Sequence, residues 1–169
     1  MDANALRALQ APLKERYKQD PNAALVTFAA RATLDGERVA CHVETRSGPV
    51  FAGLHSAAGG SGEDACSADM LLQALVACAG VTLKAVATAM EIPLRAGSVR
   101  AEGDVDFRGT LGVDRTVPVG FKAIRLIAEL DTDAPQEKLD KLLQLTERYC
   151  IVFQTLAGQP QLTAKVARP

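Results

Sequence analysis

Tryptophan is absent from this chain, which carries only two tyrosines and five phenylalanines. So few aromatics supply no stacking platform for nucleobases. Basic clusters are missing as well. Lys and Arg number 19 against 20 Asp and Glu, a formal net charge of −1. No nucleic-acid partner is expected from that balance. There are two histidines, His42 and His55, and no Cys-x-x-Cys pair. The usual zinc arrangements therefore lack their ligand spacing, and neither a metal nor a cofactor is expected. The opening MDANALRALQAPLKERYKQD lacks a basic start followed by an apolar run. It reads as leaderless, with a cytoplasmic, reducing location and no membrane partner as the expectation. In such a setting Cys41, Cys66, Cys78 and Cys150 are poor material for a permanent disulfide framework.

What is present is a globular composition, 48% hydrophobic and 23% charged, over 169 residues. That suits one domain or one subunit of a compact dimer. Leu6, Leu9 and Leu13 predict an amphipathic helix over 3–19, which Asp20-Pro21-Asn22 ends. Residues 1–22 thus form an N-terminal helix and linker ahead of a main domain, 23–169. Strands are predicted over 24–34, 38–45 and 50–55, with a hairpin-type turn at Asp35-Gly36. A loop, SAAGGSGED, leads into a long apolar helix over 68–90, with Ser67 as N-cap and Asp69 at the positive end of the helix dipole. Its length permits a bilayer span. Its alanine content, and the interruptions at Asp69, Gln73 and Lys84, favour a central helix covered by sheets. Strands over 97–108 and 121–130 follow. A second long helix runs from Ala134-Pro135 to Leu156, and a last strand covers 161–167. The order is that of an α+β fold.

Cys78 lies about three turns inside the first long helix, and Cys150 lies on the apolar stripe of the second. Packed helices would bring the two sulfurs together. Small buried core residues are one reading of such cysteines. The other is chemical, and it needs an activator, since the thiolate is the nucleophile and burial alone pushes a thiol pKa upward. Arginine suits the task because it stays charged when desolvated. Arg31, Arg38 and Arg46 lie on or beside the first hairpin, whereas Lys84 is on the helix face opposite Cys78.

At these residues the sequence resembles the OsmC/Ohr family of hydroperoxide-detoxifying proteins. Three stretches carry the resemblance: the glycine-rich loop with ADMLLQALVACAGVTLKAVA, the segment LLQLTERYCIV, and the hairpin GERVACHVETRSG. It covers residues 24–168 and leaves the N-terminal helix outside. It implies an OsmC-like fold, in which two long central helices pack between curved, mainly antiparallel sheets in an intertwined homodimer. The active sites would lie at the subunit interface. It further implies a thiol-dependent peroxidase acting on organic hydroperoxides or hydrogen peroxide. Cys78 would attack, Cys150 would resolve the sulfenic acid as a disulfide, and a dithiol reductant, lipoyl in type, would reset the pair. Arg38 is the best match to the family arginine, with Arg31 and Arg46 as alternatives.

The sequence departs from the family pattern at three places. The glutamate that orients the arginine, ten positions before the attacking cysteine, is Ala68 here. Glu63, Asp64 and Asp69 are the carboxylates near enough to replace it. The proline before that glutamate is Ser67, and the proline after the second cysteine is Ile151. A non-catalytic member of the same fold, sensing oxidation or binding an apolar ligand, is the alternative reading. A structural protein with inert core cysteines is a third. Cys66, in the loop at the helix start, is a further thiol open to adventitious or regulatory disulfides.

Overall fold

The computed structural model describes residues 1–168. Helix α1 spans Ala3–Gln19, and its N-cap Asp2 accepts the Ala5 amide at 2.8 Å. Only Ala3 on it is buried, and Leu9 and Leu13 of the predicted stripe stay exposed. Asp20 then caps a short 3-10 turn, Pro21–Ala24.

Four short strands follow: β1 Ala32–Leu34, β2 Ala40–Val43, β3 Val50–Gly53 and β4 Ala65–Cys66. β1, β2 and β3 pair antiparallel in sequence order, and β4 adds to β3 in parallel. Gly53 allows the crossing that brings the chain to β4. A Cβ at this position would stand 2.8 Å from the Asp64 Oδ2. Helix α2, Ser67–Ala89, starts directly from β4.

A second, two-stranded sheet consists of β5, Ala96–Val105, and β6, Phe121–Asp131, paired antiparallel with a bulge at Asp104/Val105. A single helical turn, α3 Phe107–Thr110, lies between them. The alternation of these strands sorts their faces. Val99, Ala101, Ile124 and Leu126 pack toward α2. On the solvent side Arg125 pairs with Glu102 and Asp104, and Arg100 pairs with Glu102 and Glu129. The last two helices are α4, Gln136–Tyr149, and α5, Ile151–Ala157.

Along α2 the buried residues are Leu75, Ala79, Leu83 and Ala87, one per turn on a single side. Leu83 and Ala87 meet Ile92 and Leu142 of α4 in one core cluster, and Leu75 and Ala79 meet Cys150 in another. Alanine and glycine on α2 let neighbouring elements approach closely, so this helix packs against α4, α5, β5 and α1. α2 is long and apolar enough to cross a membrane by length and composition, yet only 22% of its most apolar window is buried within the chain.

Several predicted elements come out differently. The strand expected over 24–34 is reduced to Ala32–Leu34, and the one expected over 161–167 is unpaired. Both segments expose large apolar groups, among them Phe28 at 86% and Val166 at 97%. Strand character needs a ladder partner, and the described residues offer them none. The helix starts at Ser67 with Cys66 in the capping position, and no side chain caps it. The helix expected from 134 to 156 is two helices broken at Cys150, whose ψ of 110° is extended.

Candidate active site

The break at Cys150 builds the site. Its own N–H still closes the last turn of α4, donating to the Thr146 carbonyl at 2.9 Å. Its sulfur then caps α5 by accepting the Phe153 amide at 3.4 Å. The first amides of a helix have no partner within it. Those of Ile151 and Val152 are directed at the sulfur of Cys78, which lies on α2 beside the buried Leu75–Ala79–Cys150 cluster.

The two thiols are shifted in opposite directions. For Cys78 burial is the largest influence and pushes the thiol up. Hydrogen bonds to the sulfur from the Val152 amide, the Cys150 thiol, the Ile151 amide and the Thr82 hydroxyl outweigh it, so its pKa falls. Cys150 is fully buried, and that burial pushes its thiol up. The Phe153 amide opposes the rise, whereas the neighbouring Cys78 sulfur adds to it by hydrogen bonding and charge. The arrangement favours the thiolate at Cys78 and the protonated thiol at Cys150.

The activating cation expected beside Cys78 is replaced, within one chain, by this set of amide, thiol and hydroxyl donors. Arg38 lies instead in the turn between β1 and β2. Its Nη1 donates to the Asp64 Oδ2 at 3.2 Å, and its Nε stands 3.5 Å from the Asp35 Oδ2. Asp64 precedes α2 and Cys78 lies eleven residues into that helix, a separation on the order of 16 Å at about 1.5 Å per residue. Arg31 is exposed, with its Nε 3.8 Å from Glu44 Oε1. Arg46 sits in the exposed turn between β2 and β3.

Of the three carboxylates considered in place of the missing glutamate, Asp64 is the one that meets an arginine. Glu63 is exposed in the loop. Asp69 lies in the first turn of α2 and, with Asp64, His55, Cys66 and Gln73, lines a cavity of about 270 Å³. Cys66 and Cys41 are free, half-buried thiols. They adjoin different residues of β3, Cys41 opposite Ala52 and Cys66 opposite Gly53, so their side chains leave opposite faces of the sheet.

Sequence reasoning missed Thr82 and the amides of Ile151 and Val152. Thr82 was legible, since it stands one helical turn after Cys78. The amides were not, because no glycine or proline marks the break at Cys150.

Together these features define a mixed α+β protein with a two-cysteine site held between its main helices, Cys150 buried and Cys78 half-buried. Residues 60–165, more than half of the chain, match the family described as OsmC-like protein, and the chain belongs to that family. Solved structures with the same fold include the OsmC-like protein from Mycoplasma pneumoniae (16% identity, TM-score 0.65, 79% of this chain and 89% of that one). An organic hydroperoxide resistance protein from Legionella pneumophila is 22% identical, with a TM-score of 0.62 over 79% of this chain and 93% of its own. The organic hydroperoxide resistance protein OhrB of Bacillus subtilis is 20% identical, with a TM-score of 0.56 over 78% and 93%. At these identities the likeness is one of fold. No curated protein sequence matches the chain. The resemblance read from the sequence and the OsmC-like α+β fold are both borne out.

Proposed function

We propose that this protein is a thiol-dependent peroxidase for organic hydroperoxides or hydrogen peroxide. The observation that carries the reading is the packing of Cys78 on α2 against the buried Cys150 at the α4–α5 break, a setting that favours the thiolate at Cys78 and the protonated form at Cys150. The Cys78 thiolate attacks the terminal oxygen of the hydroperoxide. The S–O bond forms as the O–O bond breaks, and the alkoxide leaves and takes a proton. Cys78 is then a sulfenic acid, and the neighbouring Cys150 thiol displaces water from it to give a disulfide. An external dithiol, of lipoyl type by family resemblance, returns both sulfurs to thiols and is itself oxidised.

Arg38, held by Asp64, is the cation assigned to this site, and a second copy of the chain is the means of delivery. The pair sits beside the N-terminal end of α2, too far along the helix to serve the Cys78 of its own chain. A homodimer with its α2 helices antiparallel across a two-fold axis would bring the pair of one subunit to the Cys78 of the other. The unburied α2 surface and the unpaired apolar segments around Phe28 and Val166 support such a partner.

The alternative, a redox sensor or apolar-ligand binder of the same fold, is favoured by Ala68 standing where the family carries its glutamate. Steady-state peroxide consumption separates the two. With reduced dihydrolipoamide as dithiol, the peroxidase reading expects many turnovers per subunit. One turnover followed by arrest, with the disulfide formed and the dithiol unable to restore activity, would instead identify a sensor.

A further inference from the structure

Arg38 does not rest on Asp64 alone. Asp35, the residue that closes β1, is bound through both carboxylate oxygens. Its Oδ1 accepts the amides of Glu37 and Arg38, each at 2.9 Å. Its Oδ2 stands 3.5 Å from the Arg38 Nε and 3.3 Å from the His42 Nε2. The Asp35 amide in turn donates to the Ala40 carbonyl at 3.0 Å, closing the loop on itself. The His42 ring is held against Phe51, with centroids 4.4 Å apart. The Asp35 side chain is only 18% exposed although its arginine partner is 51% exposed. The two turn amides, first that of Arg38 and then that of Glu37, hold its carboxyl well below the usual carboxylate range, against the opposing effect of burial.

The consequence for the guanidinium is geometric. Asp35 faces the Nε edge and Asp64 takes Nη1, while no acceptor among the described residues takes a hydrogen bond from Nη2. A guanidinium presents its donors in one plane, so fixing Nε and Nη1 fixes the direction in which Nη2 points. We propose that Asp35 is a positioning residue for Arg38, holding the guanidinium on its Nε side so that its free Nη2 edge is presented to the sulfur of a Cys78. This inference rests on the role given to Arg38 above. It extends the carboxylate function from Asp64 to a second residue, contributed by the same turn as the arginine. The absence of the family glutamate at Ala68 is thereby met by two short carboxylates in place of one long one.

Asp35→Asn keeps a side-chain oxygen for the turn amides and removes the charge facing Arg38. Asp35→Ser is a second variant that retains a turn-capping oxygen. Each is compared with Arg38→Ala and with the Asp35→Asn/Arg38→Ala double variant in the full-length reduced protein. The readouts are the pH midpoint of Cys78 alkylation by iodoacetamide, the rate of Cys78 oxidation by cumene hydroperoxide, and the melting temperature. Expected are an upward shift of the midpoint and a loss of oxidation rate on the order of tenfold for both Asp35 variants, as misorientation of a site group produces. The double variant should be no slower than Arg38→Ala alone, because the two residues act through one guanidinium. Asp35 variants with wild-type midpoint and rate, beside an Arg38→Ala that alters both, would overturn the positioning role and leave the arginine's intact. So would a slowing in the double variant equal to the product of the single effects. An Arg38→Ala without effect would overturn the arginine's role, and this inference with it.

Discussion

Cys78 packs beside Cys150 at the junction of α2 with the α4–α5 break, and the two thiols are shifted in opposite directions, Cys78 down and Cys150 up. The difference arises from the backbone. Cys78 lies in front of the α5 amides, whereas Cys150 is the residue at which the helix breaks and is wholly buried.

Removing the Cys150 donor should therefore act on Cys78. In Cys150→Ala the pH midpoint for alkylation of Cys78 is expected to rise. Cys150→Ser should recover part of the shift, because a hydroxyl can still donate. Thr82→Val is expected to move the midpoint in the same direction. An unchanged midpoint in Cys150→Ala would remove the thiol from the set of activating donors.

The same shifts affect stability with opposite signs. A thiol whose pKa is lowered on folding stabilises above the ordinary value of roughly 8.5, and that contribution is lost as pH falls through the lowered value. Cys78 is such a group. A thiol whose pKa is raised stabilises below the ordinary value, and the contribution is lost as pH rises through the raised one. Cys150 is of this kind. The alkaline loss of stability is thus expected to be smaller in Cys150→Ser than in the wild type, as read by urea unfolding across alkaline pH.

Packing beneath the site has its own test. Leu142 is 1% exposed and meets Leu83, Ala87 and Ile92. Leu142→Ala should cost about 2–5 kcal/mol of unfolding free energy. Gly53→Ala should be felt at a distance from any core, because the added Cβ collides with Asp64, the partner of Arg38. The Gly53→Ala variant is expected to slow Cys78 oxidation in the manner of Asp64→Ala.

The central helix and the long β5–β6 hairpin were legible because their patterns span many residues. Twenty-three residues with little charge specify α2, and alternation specifies Val99, Ala101, Ile124 and Leu126 on one face. The stretches around Phe28 and Leu162 also carry strand-like sequence, but pairing is a property of two strands, and no strand among the described residues pairs with either. The two cysteines of the candidate site were legible as a pair on the two long helical segments. The amide donors beside Cys78 were not, since amides are carried by every residue and only the break at Cys150 sets those of Ile151 and Val152 free. Asp35 was read as a turn residue. Its hold on Arg38 depends on the path of the side chains across the turn, which spacing does not reveal.

The exposed apolar segments give a prediction about assembly. The wild type is expected to sediment as a dimer at micromolar concentration. Phe28→Asp should weaken that association, because Phe28 is 86% exposed in the single chain. A well-folded wild-type monomer at that concentration would contradict delivery of Arg38 by a second subunit.

The attacking and resolving roles predict asymmetric variants. Cys78→Ser should consume no peroxide. Cys150→Ser should permit one attack, after which Cys78 proceeds to sulfinic and sulfonic acid under excess peroxide. Equal residual activity in the two variants would remove the distinction between them.

The most direct measurement is peptide mapping by mass spectrometry after one equivalent of hydroperoxide is added to the fully reduced wild type. The expected product is a Cys78–Cys150 disulfide that a dithiol reverses, with Cys41 and Cys66 still free. Such a bond requires the two Cα atoms to stand within about 7 Å or to reach that separation by a modest shift of α5. Consumption of peroxide with Cys78 still a free thiol, or a disulfide found only at Cys66, would contradict the account.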